Sequence, residues 1–250
     1  MRDVWIAGAD MTRVGRLQEP LQDLMAVAAH AALRSADRDR PDSIVVATMN
    51  PEEFLGEGNF ASNVATHMGF ANVPTMRVET ATSSGAAAVV LTAERATVRV
   101  VGVGQGTDAL ALRHRESLTS FRATQAAASS AFAMAGFGPE RIDMAEIHDA
   151  FAPFELISLE DIGLFPAGKA GPATLNGETA LDGRLPINPS GGLKARGHPL
   201  AATGLAQIVE CVWQLTWHVP PRRQVKCNVA LAQSIGGPGT NNWVTVLESR

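Results

Sequence analysis

The feature that most constrains this chain is an alternation of short apolar runs with segments of helical period, and the order occurs twice. In the first half, residues 4–7 read as a strand ending at Gly8. Pro20 offers a first helical position, and Leu21, Leu24, Met25, Ala28 and Ala32 recur at helical spacing toward Ser35. Residues 44–47 read as a buried strand, 59–68 as a short helix closed by Gly69, and 76–79 as a strand. Residues 86–91 are apolar on every side and read as a buried helix.

The second half follows suit. A strand is expected over 98–103, an alanine-rich helix over 118–134, a strand over 142–147 and a helix over 151–162. A long Gly/Pro-bearing loop covers 166–192, and 199–215 reads as a small-residue helix. Two strands, 225–232 and 242–247, are joined by a glycine-rich hairpin at 236–239. Residues 35–49 and 135–151 both run from a helix end through a charged, proline-bearing turn into a strand. Residues 82–93 and 190–214 both place a Ser/Gly turn before a small-residue helix. The expectation is an α/β chain built from a duplicated unit, with a mixed sheet covered on both faces.

Composition narrows the function. A net charge of -4 argues against general nucleic-acid binding. No apolar run reaches the length of a membrane span and no signal-peptide pattern follows Met1, so a soluble cytoplasmic protein without membrane contact is expected. Cys211 and Cys227 form neither a disulfide framework nor a zinc cluster, and no metal site is expected. With Tyr at 0, phenol chemistry is excluded. Gly102, Gly104 and Gly106 lack the GxGxxG spacing of a dinucleotide site.

Four segments could carry chemistry. In Glu79–Ala86, a turn between a strand and a helix puts Thr82 at a helix N-terminus, where it either caps the helix or supplies a nucleophile or oxyanion amide. His148 follows a strand, where it either donates to a substrate oxygen or closes the sheet edge. His198 lies in Asn188–Gly204, bracketed by glycines and followed by Pro199. Such a turn lets backbone approach a ligand and presents an imidazole. Gln233–Gly239 would suffice as a hairpin turn alone.

Taken in order, these segments resemble the thiolase superfamily, and most closely the bacterial and archaeal thiolases of the sterol-carrier-protein type. Residues 76–88 resemble the nucleophile segment, and His148-Asp149-Ala150-Phe151 is similar to the family's His-Asp-Cys-Phe. Asn188–Gly204 is similar to its Gly-His-Pro segment with the preceding Asn-Pro-Ser-Gly-Gly, and Ser234-Ile235-Gly236 to its Cys-x-Gly. The resemblance implies a five-layer α/β/α/β/α sandwich of two duplicated halves, here 1–96 and 97–250. It implies a homodimer or homotetramer without a tightly bound cofactor. The implied reaction is acetyl-CoA C-acetyltransferase chemistry on a coenzyme A thioester, by Claisen condensation or thiolysis. Thr82, His148, His198 and Ser234 would then be catalytic, with the amides of Thr82 and Gly236 forming an oxyanion hole and Ser190, Gly191 and Gly192 binding substrate.

The chain departs from the family pattern where it matters chemically. Thr82, Ala150 and Ser234 stand where the family carries cysteines. A threonine hydroxyl is far harder to ionise than a thiol, so cysteine-type thiolysis is expected to be impaired. After Ala96 the first half also lacks about a hundred or more residues of the family pattern, counting ordinary element lengths. A deletion would strip central strands and expose sheet edges, so omission from the sequence is favoured. Two further readings follow: a retro-aldolase acting on a β-hydroxyacyl-CoA with a small CoA-binding partner subunit, or a non-catalytic acyl-CoA-binding or assembly subunit.

Overall fold

The computed structural model describes residues 3–49, 51–52, 56, 58–78, 88–200 and 202–250. Six strands form one mixed sheet: β1 (Val4–Asp10), β4 (Ala88–Thr92), β5 (Val98–Thr107), β6 (Met144–Glu146), β7 (Val229–Gly236) and β8 (Asn241–Ser249). Their order is β4-β1-β5-β8-β7-β6, and only the β6–β7 pair is parallel. Strands β2 (Ile44–Ala47) and β3 (Thr75–Val78) form a separate parallel pair. The mixed α/β architecture is the one the sequence leads one to expect.

Helices cover both faces. On one face α3 (Arg122–Ala135) and α4 (Ala152–Asp161) pack with Leu231, Val244 and Val246 of the sheet. On the other, α7 (Thr203–Leu215) lies over Ile6, Ala230, Ala232 and Leu247. Further out, α1 (Leu21–Ser35) and α2 (Phe60–His67) share a third core with Val46. Two short helices, α5 (Ala170–Leu175) and α6 (Gly192–Arg196), interrupt the segment before α7.

Alternate glycines of β5 explain why α3 sits where it does. A Cβ on Gly102, Gly104 or Gly106 would lie 2.3, 1.9 or 2.1 Å from the carbonyl oxygens of Ala131, Ala127 and Ala123. The period-2 glycines of the strand therefore mate with every fourth alanine of the helix, and backbone meets backbone. The GxGxG run is a packing seam.

Both halves open with the same unit, β1-α1-β2 and β5-α3-β6, and close on a strand antiparallel to the first, β4 against β1 and β8 against β5. In the second half β7 lies between β8 and β6. In the first half β3 pairs parallel with β2 as β7 does with β6, but among the described residues it forms no ladder with β4.

Several expectations are corrected. The helix expected over 86–91 is strand β4 from Ala88 onward, with Leu91 62% exposed. Val89, Val90 and Thr92 are β-branched, and the run is too short for its period to separate a helix from a strand. Pairing with β1 decides the matter. Strand β2 is not buried throughout: Val46 is, while Val45 is 59% exposed. Pro20 precedes α1, and its carbonyl accepts from Leu24 N–H. The loop over 166–192 contains α5, and its Ile187 bridges to Ala145 of β6. The last helix begins at Thr203, because residues 192–196 form α6 and the chain turns again at Gly197.

Candidate functional site

His148 is set by the end of β6 and is 3% exposed. Its backbone N–H donates to Gln233 Oε1 of β7 at 3.1 Å, and Gln233 Nε2 donates in turn to Ser158 of α4 at 3.2 Å. Three elements thus fix the residue. Its Nδ1 is buried without a hydrogen-bond partner among the described residues. Burial, then the nearby His198 and Arg196, push its pKa down to about 3, so the ring is neutral at ordinary pH.

His198 meets it edge to face, with ring centroids 5.0 Å apart and planes at 87°. Its Nδ1 lies 2.7 Å from Thr203 Oγ1, and that hydroxyl donates its own proton to Pro199 O at 3.1 Å. With its proton on Pro199 O, the hydroxyl accepts from Nδ1–H, and Nε2 of the neutral ring then keeps a lone pair. Burial lowers the His198 pKa, the Asp149 carboxylate pulls it back up, and Arg196 lowers it further. Less depressed than His148, His198 is the better base of the two.

The loop carrying His198 is clamped to β6 at several points. Asn188, at φ 52, accepts from Ile147 N–H at 2.7 Å and donates to Glu155 Oε2 at 2.9 Å. Ser190 donates from its backbone N–H and its hydroxyl to the two oxygens of Glu146, at 2.9 and 2.7 Å. Leu193 N–H donates to Asp149 Oδ1 at 2.8 Å. Gly191 and Gly192 take φ of 94 and 65, and a Cβ on Gly192 would lie 2.1 Å from Asp149 Oδ2. Only glycine fits there, which accounts for the Asn-Pro-Ser-Gly-Gly run.

Glu146 is buried among these groups. Its carboxyl is raised to about 7, chiefly by desolvation and further by Glu210, while Arg196 and the Ser190 hydrogen bonds act the other way. Neither Glu146 nor Arg196 stood out in the sequence. Each precedes a site histidine by two residues, and the alternation of a strand puts Glu146 on the same face as His148.

Ser234 lies inside β7 rather than in a turn, which spans 237–240. The pleat puts it with Ala230 and Ala232 on the α7 side, and Met144 places the even positions of β6 on that side too. Its Oγ is buried and has no hydrogen-bond partner among the described residues. Gly236 ends β7 opposite Asn241. Thr82 lies outside the described residues. Both cysteines are buried and free. Desolvation raises Cys211 well above the usual thiol range and pushes Cys227 up to about 12, so neither offers a thiolate. Among the described residues no three His, Cys, Asp or Glu side chains converge as metal ligands, and no helix is long and apolar enough to cross a membrane.

Comparison with known proteins bears on this arrangement. Residues 104–249 match the model of the family described as thiolase C-terminal domain-like. The chain is 43% identical over 164 residues to an acetyl-CoA acetyltransferase of Methanothermobacter thermautotrophicus, covering 63% of this chain and 43% of that protein. It is 35% identical over 167 residues to sterol carrier protein 2 of Rattus norvegicus, covering 62% and 30%. The matched segment thus spans less than half the length of either relative. Among solved structures, a chain titled Ltp2-ChsH2(DUF35) aldolase superposes with a TM-score of 0.82 at 14% identity, covering 99% of this chain and 98% of that one. That likeness shows the thiolase-like fold.

Proposed function

The chain belongs to the thiolase C-terminal domain-like family, and on that premise we propose that its site handles an acyl-coenzyme A thioester by acetyl-CoA C-acetyltransferase chemistry. The observation that carries the reading is the pair of neutral imidazoles in contact, one with a free Nε2 lone pair and one with a pKa too low to act as a base. Nε2 of His198 takes the α-proton of a bound thioester. A ring N–H of His148 donates to the enolate oxygen that forms, in a dry setting where such a bond is strong. The enolate carbon attacks the carbonyl of a second acyl thioester, its C–S bond breaks, and the coenzyme A thiolate leaves with the proton that His198 took. The backbone amides of Thr82 and Gly236 belong to this reading as the second oxyanion site, with Ser234 beside them and Ser190, Gly191 and Gly192 on the substrate side.

A second reading is favoured by the chain's thiols, both buried and held protonated. A retro-aldolase needs no covalent nucleophile. His198 removes the β-hydroxyl proton of a β-hydroxyacyl-CoA, the α–β carbon bond breaks, and His148 holds the thioester enolate until its α-carbon is protonated. A small CoA-binding partner subunit fits this reading, and a homodimer or homotetramer in the cytoplasm fits both. The experiment assays acetoacetyl-CoA thiolysis and β-hydroxyacyl-CoA cleavage on the wild type, His148→Ala and His198→Ala. Loss of thiolysis in both variants supports the first reading. Cleavage without thiolysis moves the assignment to the second. Binding without either turnover leaves a non-catalytic subunit.

A further inference from the structure

Beside the histidine pair lies a cleft of about 320 Å³ lined by Ser190, Arg196, Glu210 and Arg223 together with the 11–14 segment that follows β1 and Trp213 of α7. Arg196 is its anomaly. Nε and both Nη atoms of the guanidinium are buried, and none has a hydrogen-bond partner among the described residues. A guanidinium carries five N–H donors that are costly to leave unmade away from water. The neighbouring acids are already engaged. Glu210 accepts from Arg223 at 2.6 Å and from Gln214 at 2.9 Å, and both oxygens of Glu146 are held by Ser190. Of the charged side chains lining the cleft, Arg13, Arg196 and Arg223 are cationic and Glu210 alone is anionic.

We infer that this cleft binds a carboxylate carried on the acyl portion of the substrate, taken by the fork of Arg196. The inference rests on the acyl-thioester reading and narrows it to thioesters of dicarboxylic acids. Three features favour a carboxylate on the acyl group over a phosphate of the coenzyme. The Arg196 charge is felt by both imidazoles, so its ligand lies on the side of the reacting carbonyl. The guanidinium has the planar geometry that pairs with a carboxylate through two parallel bonds. Met11, Val14 and Trp213 give the cleft apolar walls suited to a short methylene chain. Arg196 also depresses both imidazoles, so an anion seated on it would relieve that effect as the substrate arrives.

The test compares two thioesters with four-carbon acyl groups, succinyl-CoA and butyryl-CoA, by calorimetric titration of the wild type, Arg196→Met and Arg196→Lys. Monomethyl succinate, a carboxylate without coenzyme A, is tested by saturation-transfer NMR. Succinyl-CoA is expected to bind the wild type about tenfold or more tighter than butyryl-CoA, the range of a charge-assisted pair. Arg196→Met should erase the difference and Arg196→Lys keep part of it. Arg196→Met removes an unpaired buried charge, so its melting temperature should hold or rise. Equal binding of the two thioesters to the wild type, with no contact to monomethyl succinate, overturns the inference and leaves the acyl-thioester reading intact. Arg196-dependent binding of monomethyl succinate with neither thioester bound upholds the carboxylate site and overturns the coenzyme A reading. Displacement of monomethyl succinate by inorganic phosphate at lower concentration reassigns the site to phosphate and overturns the inference.

Discussion

Thr203→Val isolates the contact that fixes the proton on His198. Thr203 is fully buried and valine has its shape, so packing is retained and one hydroxyl is lost. The hydroxyl lies 2.7 Å from Nδ1 and, among the described residues, faces no other side-chain donor. Without it, the Nδ1–H tautomer of a half-buried ring carries an unmade donor, at a cost of about 1–3 kcal/mol. At about 1.4 kcal/mol per factor of ten, the ratio of the Nδ1–H tautomer to the Nε2–H tautomer falls about fivefold to a hundredfold. Nitrogen NMR of the His198 ring reads the tautomer directly, whatever the substrate proves to be. In wild type the proton is expected on Nδ1; in Thr203→Val it shifts toward Nε2, and in Thr203→Ser it stays. Turnover by a base at Nε2 should fall by about the same factor. If Thr203→Val keeps the wild-type tautomer and rate, the orientation argument fails.

Four further outcomes follow from the packing and the buried groups. Gly104→Ala drives a methyl against Ala127 O and should cost about 3 kcal/mol or more in urea unfolding, whereas Gly15→Ala, with open space around it, should be near neutral. Glu146, raised from 4.5 to about 7, holds its proton in the folded state over a range where the unfolded chain has lost it. Stability therefore falls as pH rises through that window, and Glu146→Gln should remove that slope in unfolding titrations. His148, lowered from 6.5 to about 3, has the opposite sign: stability falls as pH drops through that range, and His148→Asn should flatten the acid limb. A disulfide reagent should leave Cys211 and Cys227 unmodified in the folded protein and label both in urea, while rapid labelling of native Cys211 would contradict its burial.

The elements that were legible from sequence are those whose pattern and partner agree. Val98 onward alternates, and Leu21–Ser35 keeps one apolar face, so each could be read alone. Strand β4 was misread because Val89-Val90-Leu91 is short and apolar, and its state depends on β1, which is some eighty residues away in the chain. His148 stood out because it closes an apolar strand, and His198 because the glycine, proline and asparagine of its segment announce special backbone angles. Asn188, Gly191 and Gly192 do take positive φ. Glu146 and Arg196 were illegible for the converse reason. A charged residue carries no backbone signature, and its burial arises only when the 188–198 segment folds back onto β6.

Helix α7 joins two regions that are distant in the chain. Its first turn holds Thr203 against His198, and two turns or more further along, Trp213 Nε1 donates to Ala9 O of β1 at 3.4 Å. At thirteen residues it is a rod about 20 Å long. Among the described residues, strand β1 is sewn to β5 by three residue pairs, Val4 to Ile6 against Val98 to Val100. The N-terminal strand and the His198 loop are thus moored to opposite ends of one rigid helix.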